Sequence, residues 1–503
     1  MKRPANSESY TLNPGTDGSI DGFRVWNETF DVVVIGSGFA GLAAAIEARL
    51  AGASVVVLEK MMAPGGNSAI SDGGIAAAGT FLQQKAGYND SPELMYEDMM
   101  KAGLGLNYPE LVREVAERSN EVFQWSIDYL GVEYMDRVDH FGGHSVHRCY
   151  TAANRTGATI INRQVEKAKE IGVEIRLGAF LRSMATGPDG SVIGVHVREG
   201  YDYRTPDKGN DASIKANKAI VLATGGFGSD IEFRTSQDPR LTEEIDTTNK
   251  RFTTAEALKE ALRIGGNPVH LSHIQLGAWA SPDEKGFGVG PVFSDYIVFL
   301  YGIVVDPATG KRFINELSDR KILSDALLDI GHPCVGIADS KAVETQGWDL
   351  GRGLKKGVIR KFDRLEELGA AYEIPADEFM ATVERHNDHV EEGIDREFGR
   401  EVLPNAAPIA EPPFYGMRLW PKVHFTMGGV QINSRAQVIN LDQEPVKGLY
   451  AAGEVTGGVH GACRLGSCAI TECLVFGRIA GKNAAGERAG EGERESGRKG
   501  EWE

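Results

Sequence analysis

Phe30-Asp31-Val32-Val33-Val34-Ile35-Gly36-Ser37-Gly38-Phe39-Ala40-Gly41 is the stretch on which the fold turns. Its first six residues are mostly β-branched, the composition of a strand buried on both faces of a parallel sheet. They run into glycines at 36, 38 and 41 and then into an alanine-rich, helix-forming segment over residues 42–51. A second apolar strand, residues 53–58, ends at Glu59, at the spacing of about 20 residues that a dinucleotide fingerprint has. The glycines allow a tight turn and let a pyrophosphate approach the helix N-terminus, while the acid reaches ribose hydroxyls. Gly36, Gly38, Phe39, Ala40, Gly41, Glu59 and Lys60 are therefore candidate nucleotide contacts.

Three later segments favour FAD over NAD. Gly65-Gly66-Asn67-Ser68, followed by Asp72-Gly73-Gly74, forms a second glycine-rich loop soon after the ribose acid, as an extended flavin nucleotide needs. Residues 219–228 read as a strand ending in Ala223-Thr224-Gly225. Residues 448–454 form another, which closes on Gly453-Glu454 with the acid placed for a ribityl chain. That strand feeds the glycine-rich stretch 456–470, and a helix is expected from Ser467 to Ala480. Arg464, Ser467, Ala469 and Ile470 thus sit at a strand-to-helix junction, where backbone N–H groups and a positive helix end face a ligand.

Composition narrows the remaining possibilities. A chain of 503 residues divides into two or three domains. Its 54 Lys+Arg against 71 Asp+Glu leave a net charge of -17, which opposes nucleic-acid binding and offers no basic anchor for an anionic membrane. No apolar run approaches the ~18 residues of a membrane span, and the apolar stretch 296–305 reads as buried strand. Residues 1–28 lack the apolar centre of a secretory signal, and five cysteines without paired spacing argue against a disulfide framework. The expectation is a cytoplasmic protein. His144, His147 and Cys149 lack a second ligand pair, so no metal site is expected. No cysteine cluster or C-x-x-C-H motif supplies a second redox centre, so the electron partner is external.

Five further motifs follow in order: Gly65-Gly66-Asn67; Asn154-Arg155-Thr156-Gly157; Lys311-Arg312-Phe313-Ile314-Asn315-Glu316 with Arg320; His424-Phe425-Thr426-Met427-Gly428-Gly429; and the 456–470 stretch with Phe476-Gly477-Arg478. Over residues 29–487 they resemble the flavoprotein subunits of fumarate reductase and succinate dehydrogenase, especially the soluble flavocytochrome fumarate reductase and urocanate reductase types. The resemblance implies an α/β fold, a Rossmann-like FAD-binding domain with an inserted α+β capping domain. The expected divisions are a tail over 1–28, FAD-binding segments at 29–271 and 424–487, the cap at 272–423 and a disordered tail over 488–503. Asn67 stands where covalent flavin binders carry a histidine, which implies noncovalent FAD. Arg320 corresponds to the proton donor, and His424 with Arg464 to the pair that grips one substrate carboxylate.

The same resemblance exposes departures. Relatives that take a dicarboxylate carry a histidine in the segment matching residues 274–279, and Gly277 stands nearest its place. Their acid and arginine of a proton path match Asp295 and Val298 or Phe299, so the arginine is missing. Trp279, Phe287, Phe293, Tyr296, Phe299 and Tyr301 surround that region, either as cap core or as a wall for a flat group. Cys463 and Cys468 replace asparagines, as small packing residues or as thiols acidified by a helix N-terminus.

The expected activity is FAD-dependent oxidoreduction of a carbon–carbon bond next to a carboxylate, as reduction of an α,β-unsaturated monocarboxylate or the reverse desaturation. The alternatives are dehydrogenation of a cyclic ketone, an oxo-acid or a 3-ketosteroid, and a redox subunit of an electron-transfer complex.

Overall fold

Strand Glu28–Ile35 lies inside an eight-stranded sheet, flanked in parallel by Val55–Glu59 on one side and Asn210–Leu222 on the other. Glu174–Leu177 extends the sheet beyond the first neighbour and Pro445–Ala451 beyond the second, both parallel. Val32 to Ile35 and all of Val55–Glu59 are buried, as continuous β-branched runs between two covered faces require. The strands end together at Ile35, Glu59, Leu222 and Ala451, which opens a crevice outside their carboxyl ends. This computed structural model describes residues 26–487 and the backbone of a short ribbon, Ser19–Ile20 with Phe23–Arg24. The expected C-terminal tail and most of the expected N-terminal tail lie outside the described residues, and Glu28 already belongs to the sheet.

Helix Phe39–Leu50 leaves the first glycine turn and packs against the last helix, Cys468–Gly486, which runs past the expected end at Ala480. A Cβ on Gly477 would meet the carbonyl of Ala40, and one on Gly481 that of Ala44. Glycines on one helix and alanines on the other bring the two backbones close, which is a packing reason for the Phe476-Gly477-Arg478 motif.

The cap is built on a five-stranded antiparallel sheet, in the order Lys311–Arg312, Ile303–Asp306, Cys334–Ala338, Phe414–Leu419 and Arg360–Phe362. Ile303, Val305, Ile337, Leu368, Phe379 and Phe414 form a core of its own beneath helix Ala376–Glu392. The opposite face, with Val304, Ala338, Met417 and Leu419, joins the main core. The chain leaves the nucleotide side through strand Ile274–Gly277 and returns through Lys422–Thr426, and these two strands pair with each other.

One expected strand is not a strand. Residues 291–301 are helical, with a π turn over Ser294–Val298, and only Ile303–Asp306 is extended. An apolar run carries no period that separates a buried helix from a buried strand, and Tyr296, Ile297 and Val298 are each at most 3% exposed. The helical turn matters because it puts Val292, Asp295 and Tyr296 on one face, toward the crevice.

Candidate active site

A cavity of ≈ 500 Å³ occupies the crevice, walled by the sheet ends on one side and by the cap on the other. All the candidate nucleotide contacts line it except Gly41 and Gly73. Gly41 works from behind the wall: a Cβ there would run into the Gly36 carbonyl, so its absence seats the helix on the strand. Gly36 adopts φ +101, and a side chain on it would collide with the Ala223 carbonyl. Glu59 accepts from Ser37 N (3.1 Å), Ser37 Oγ (2.6 Å) and Met61 N (2.9 Å), which holds its carboxylate at the strand tip.

Two helices begin at this cavity without a side-chain N-cap. Gly38 precedes Phe39–Leu50, where Phe39 N–H reaches Ser68 Oγ at 3.2 Å, and Ser467, at φ +63, precedes Cys468–Gly486. Uncapped helix starts present free N–H groups and partial positive charge to an anionic or electron-rich ligand. Glu454 accepts from Thr426 N (3.0 Å) and Thr426 Oγ1 (3.3 Å), and burial pushes its pKa up to about 7. Asn67 donates to Asn249 Oδ1 (2.5 Å) and accepts from Lys250 N (2.9 Å).

The other end of the cavity is made of charged and aromatic side chains. Arg320 is the first residue of helix Arg320–Ile330, which Asp319 caps by accepting from Lys321 N and Ile322 N. The loop before it is clamped by a buried ion cluster: Arg312 pairs with Glu316 (2.7 Å) and Asp395 (2.8 Å), and Arg400 pairs with Glu316 (3.3 Å). This is what the Lys-Arg-Phe-Ile-Asn-Glu motif does structurally. Arg320 Nη2 lies 3.3 Å from Asp295 Oδ2. Burial raises the pKa of Asp295, and the Arg320 guanidinium opposes the rise.

His424 stands at a register shift between Ile274–Gly277 and Lys422–Thr426, an irregularity of the kind that re-aims a side chain. Its Nδ1 pairs with Thr248 Oγ1 at 2.8 Å. Burial, reinforced by the Arg464 and Arg320 charges, holds its pKa well below the usual histidine value, so the ring is neutral at pH 7. Arg464 is 4% exposed and lies 4.8 Å over the Phe425 ring, with Nη1 donating to Leu465 O at 3.0 Å. Its Nε has no partner, and it pairs with no carboxylate among the described residues. Burial and the Arg320 charge pull its pKa down to about 10, so it remains a cation at pH 7.

Gly277 does not line the cavity, because the Trp279 indole covers it. Of the six aromatic residues expected around this end, Trp279, Phe287 and Tyr296 face the cavity, and Phe293, Phe299 and Tyr301 do not. Tyr296 Oη donates to Asp72 Oδ2 at 2.5 Å. Thr248, Asn249, Asp72 as an acid, and Trp348 were not singled out by sequence reasoning. Thr248 and Asn249 belong to no glycine motif, and only packing against His424 and Asn67 brings them in.

The family model for an FAD binding domain matches residues 31–470. The acrylate reductase flavoprotein subunit of Shewanella woodyi is 42% identical over 464 residues, 91% of each chain. The fumarate reductase (cytochrome) of Shewanella frigidimarina is 35% identical over 464 residues, 91% of this chain and 77% of that one. The open conformation of a flavocytochrome c3 fumarate reductase superposes with a TM-score of 0.72 at 34% identity, covering 92% of this chain and 79% of that one.

The chain belongs to this family of FAD-binding flavoproteins. It is an FAD-dependent oxidoreductase with a nucleotide-binding domain and a capping domain. The cavity fits that cofactor: glycine turns with no room for a Cβ, an acid at the second strand tip and two uncapped helix starts converge on it. No helix of the flavoprotein among the described residues is long and apolar enough to cross a membrane.

The idea of acidified thiols fails. Burial pushes Cys463 up to about 11, with the Asp319 charge adding to the rise, and Cys468 up to about 12 against the opposing Arg148 and Arg464 charges. His144 spends Nε2 on the Gly466 carbonyl at 2.9 Å, while His147 stacks on Tyr88 at 4.4 Å. No cluster of metal-ligating side chains occurs among the described residues.

Proposed function

We propose that this flavoprotein reduces the carbon–carbon double bond of an α,β-unsaturated monocarboxylate. One observation carries the reading: Arg464 is a buried cation that forms no ion pair with a carboxylate among the described residues, beside a neutral His424, and Arg320 with Asp295 lines the same cavity. Such a site calls for one anionic group from outside. Arg464 takes the substrate carboxylate in charge-assisted hydrogen bonds, and His424, oriented through Nδ1 by Thr248, offers Nε2 to the same group. This grip draws electron density from the conjugated double bond and holds it in one orientation.

FAD, when bound, would supply the hydride equivalent for the double bond. Arg320 gives a proton to the carbon next to the carboxylate, where negative charge develops. A guanidinium with a pKa above ~12 serves as an acid only when held against such a carbanion-like centre. Asp295, 3.3 Å from Nη2, is the group that returns a proton to Arg320. Gly36, Gly38, Glu59, Glu454, Ser467 and Ala469 are the residues that would hold the cofactor.

Noncovalent attachment belongs to the same reading, since Asn67 offers an amide already engaged by Asn249 and Lys250. So does a cap bounded near residues 272 and 423, which the pairing of Ile274–Gly277 with Lys422–Thr426 supports. Five unpaired cysteines favour a cytoplasmic location, and electrons come from an external donor.

Anaerobic mixing of photoreduced enzyme with acrylate, cinnamate, urocanate and fumarate tests the function. Rapid flavin reoxidation by a monocarboxylate is expected. Reoxidation by fumarate alone overturns the reading.

A further inference from the structure

We infer that the Trp279 indole sets the substrate length of this site and restricts it to short unsaturated monocarboxylates of the acrylate or methacrylate type. The inference rests on the monocarboxylate reading above and adds a specificity-determining residue to it.

The indole is fixed in place. Trp279 is 2% exposed, its carbonyl accepts from Ser294 Oγ at 2.6 Å, and the Phe287 ring packs 5.4 Å from it. It also occupies the room above Gly277: a Cβ there would lie 2.9, 3.0 and 3.2 Å from Cζ2, Cε2 and Cη2. No side chain at residue 277 can share that space, so the missing polar partner at 277 and the presence of the indole are one feature.

The indole stands at the reacting end. Its ring is edge-on to His424, with centroids 4.8 Å apart, and its centroid lies 5.9 Å from Arg320 Cζ. The wall thus passes from the carboxylate grip to the proton donor across a surface that is apolar apart from the indole N–H, continued by Phe287, Val289 and Val292. A second carboxylate at this wall would lose its water for at most one neutral donor, the Trp279 Nε1–H, which has no hydrogen-bond partner, and would find no cation there beyond Arg320, which Asp295 already engages. An aryl group on the double bond would need the volume that the indole fills. Hydrogen or a methyl group needs neither.

The test is anaerobic flavin reoxidation by acrylate, methacrylate and cinnamate in wild type, Trp279→Ala and Trp279→Phe, with bound FAD per chain measured in each. Wild type should prefer acrylate to cinnamate. Trp279→Ala should raise the cinnamate-to-acrylate ratio of kcat/KM by at least about tenfold, the range that pocket-volume changes reach. Trp279→Phe, which keeps an aromatic filler, should fall between the two, and it decides the matter if the alanine variant loses FAD. A ratio within about twofold of wild type in FAD-replete variants overturns the proposal, since filled volume should move it further. Equal use of cinnamate and acrylate by wild type also overturns it, while leaving the monocarboxylate reading intact. Failure of every monocarboxylate with wild type overturns both.

Discussion

The two ends of the cavity are built on opposite terms. At the nucleotide end the wall is shaped by backbone turns: glycines at 36, 38 and 66 and two helix starts without a side-chain N-cap, with side chains such as Glu59, Lys60, Asn67 and Glu454 set between them. At the substrate end it is made of side chains drawn from distant parts of the chain: Trp279, Asp295, Arg320, His424 and Arg464. A pyrophosphate is served by N–H groups that any residue supplies once the turn is right, so turn-forming glycines suffice. Gripping a carboxylate and delivering a proton demand particular charges at particular distances, which one stretch of chain cannot provide. The substrate end is therefore where close relatives can differ while the nucleotide end stays the same.

Substitutions should separate the two ends. Arg320→Gln should reduce turnover by about 10²–10⁴-fold, as loss of a proton donor does, with FAD content unchanged by absorbance. A comparable loss of FAD would show that the two ends are not independent. Glu316→Gln leaves Arg312 and Arg400 underpaired inside the cap and should cost about 3–5 kcal/mol by denaturant unfolding, reaching Arg320 only through its supporting loop. Arg464→Gln should raise KM for the acid by roughly 10–100-fold, the worth of one charged hydrogen bond or a pair, with a smaller change in kcat.

The smallest effect should be a pH tilt from the nucleotide end. Glu454 rises from 4.5 to about 7 in the fold, so its favourable contribution is full below pH 4.5 and lost as pH rises through about 7. Flavin-free wild type should lose denaturant resistance between pH 5 and pH 8, and Glu454→Gln should lose less. His424, held neutral, should add no inflection to the kcat/KM profile between pH 6 and 8.

The contrast also explains what could be read from the chain before it was folded. Gly36, Gly38, Glu59, Gly453 and Glu454 carry local patterns, and all five line the cavity. Asp295 and Arg320 could be named by resemblance, but their 3.3 Å approach depends on residues 291–301 being helical, which an apolar run does not reveal. The ion cluster behind Arg320 uses Asp395 and Arg400, more than seventy positions downstream of the motif they support. The thiols went the other way: a helix N-terminus is visible in sequence and lowers a thiol pKa, while the burial that reverses it is not.

Local chain chemistry was thus enough for the dinucleotide turn, because turn geometry and strand composition act over a few neighbouring residues, while the capped α/β fold and the gap in side chains at Gly277 were legible only through the family resemblance. The protonation of His424, the unpaired Arg464 cation and the seating of Trp279 on Gly277 were decided only by tertiary packing. Desolvation, charge proximity and filled volume are properties of the space between segments, and that space exists only once the cap closes on the sheet.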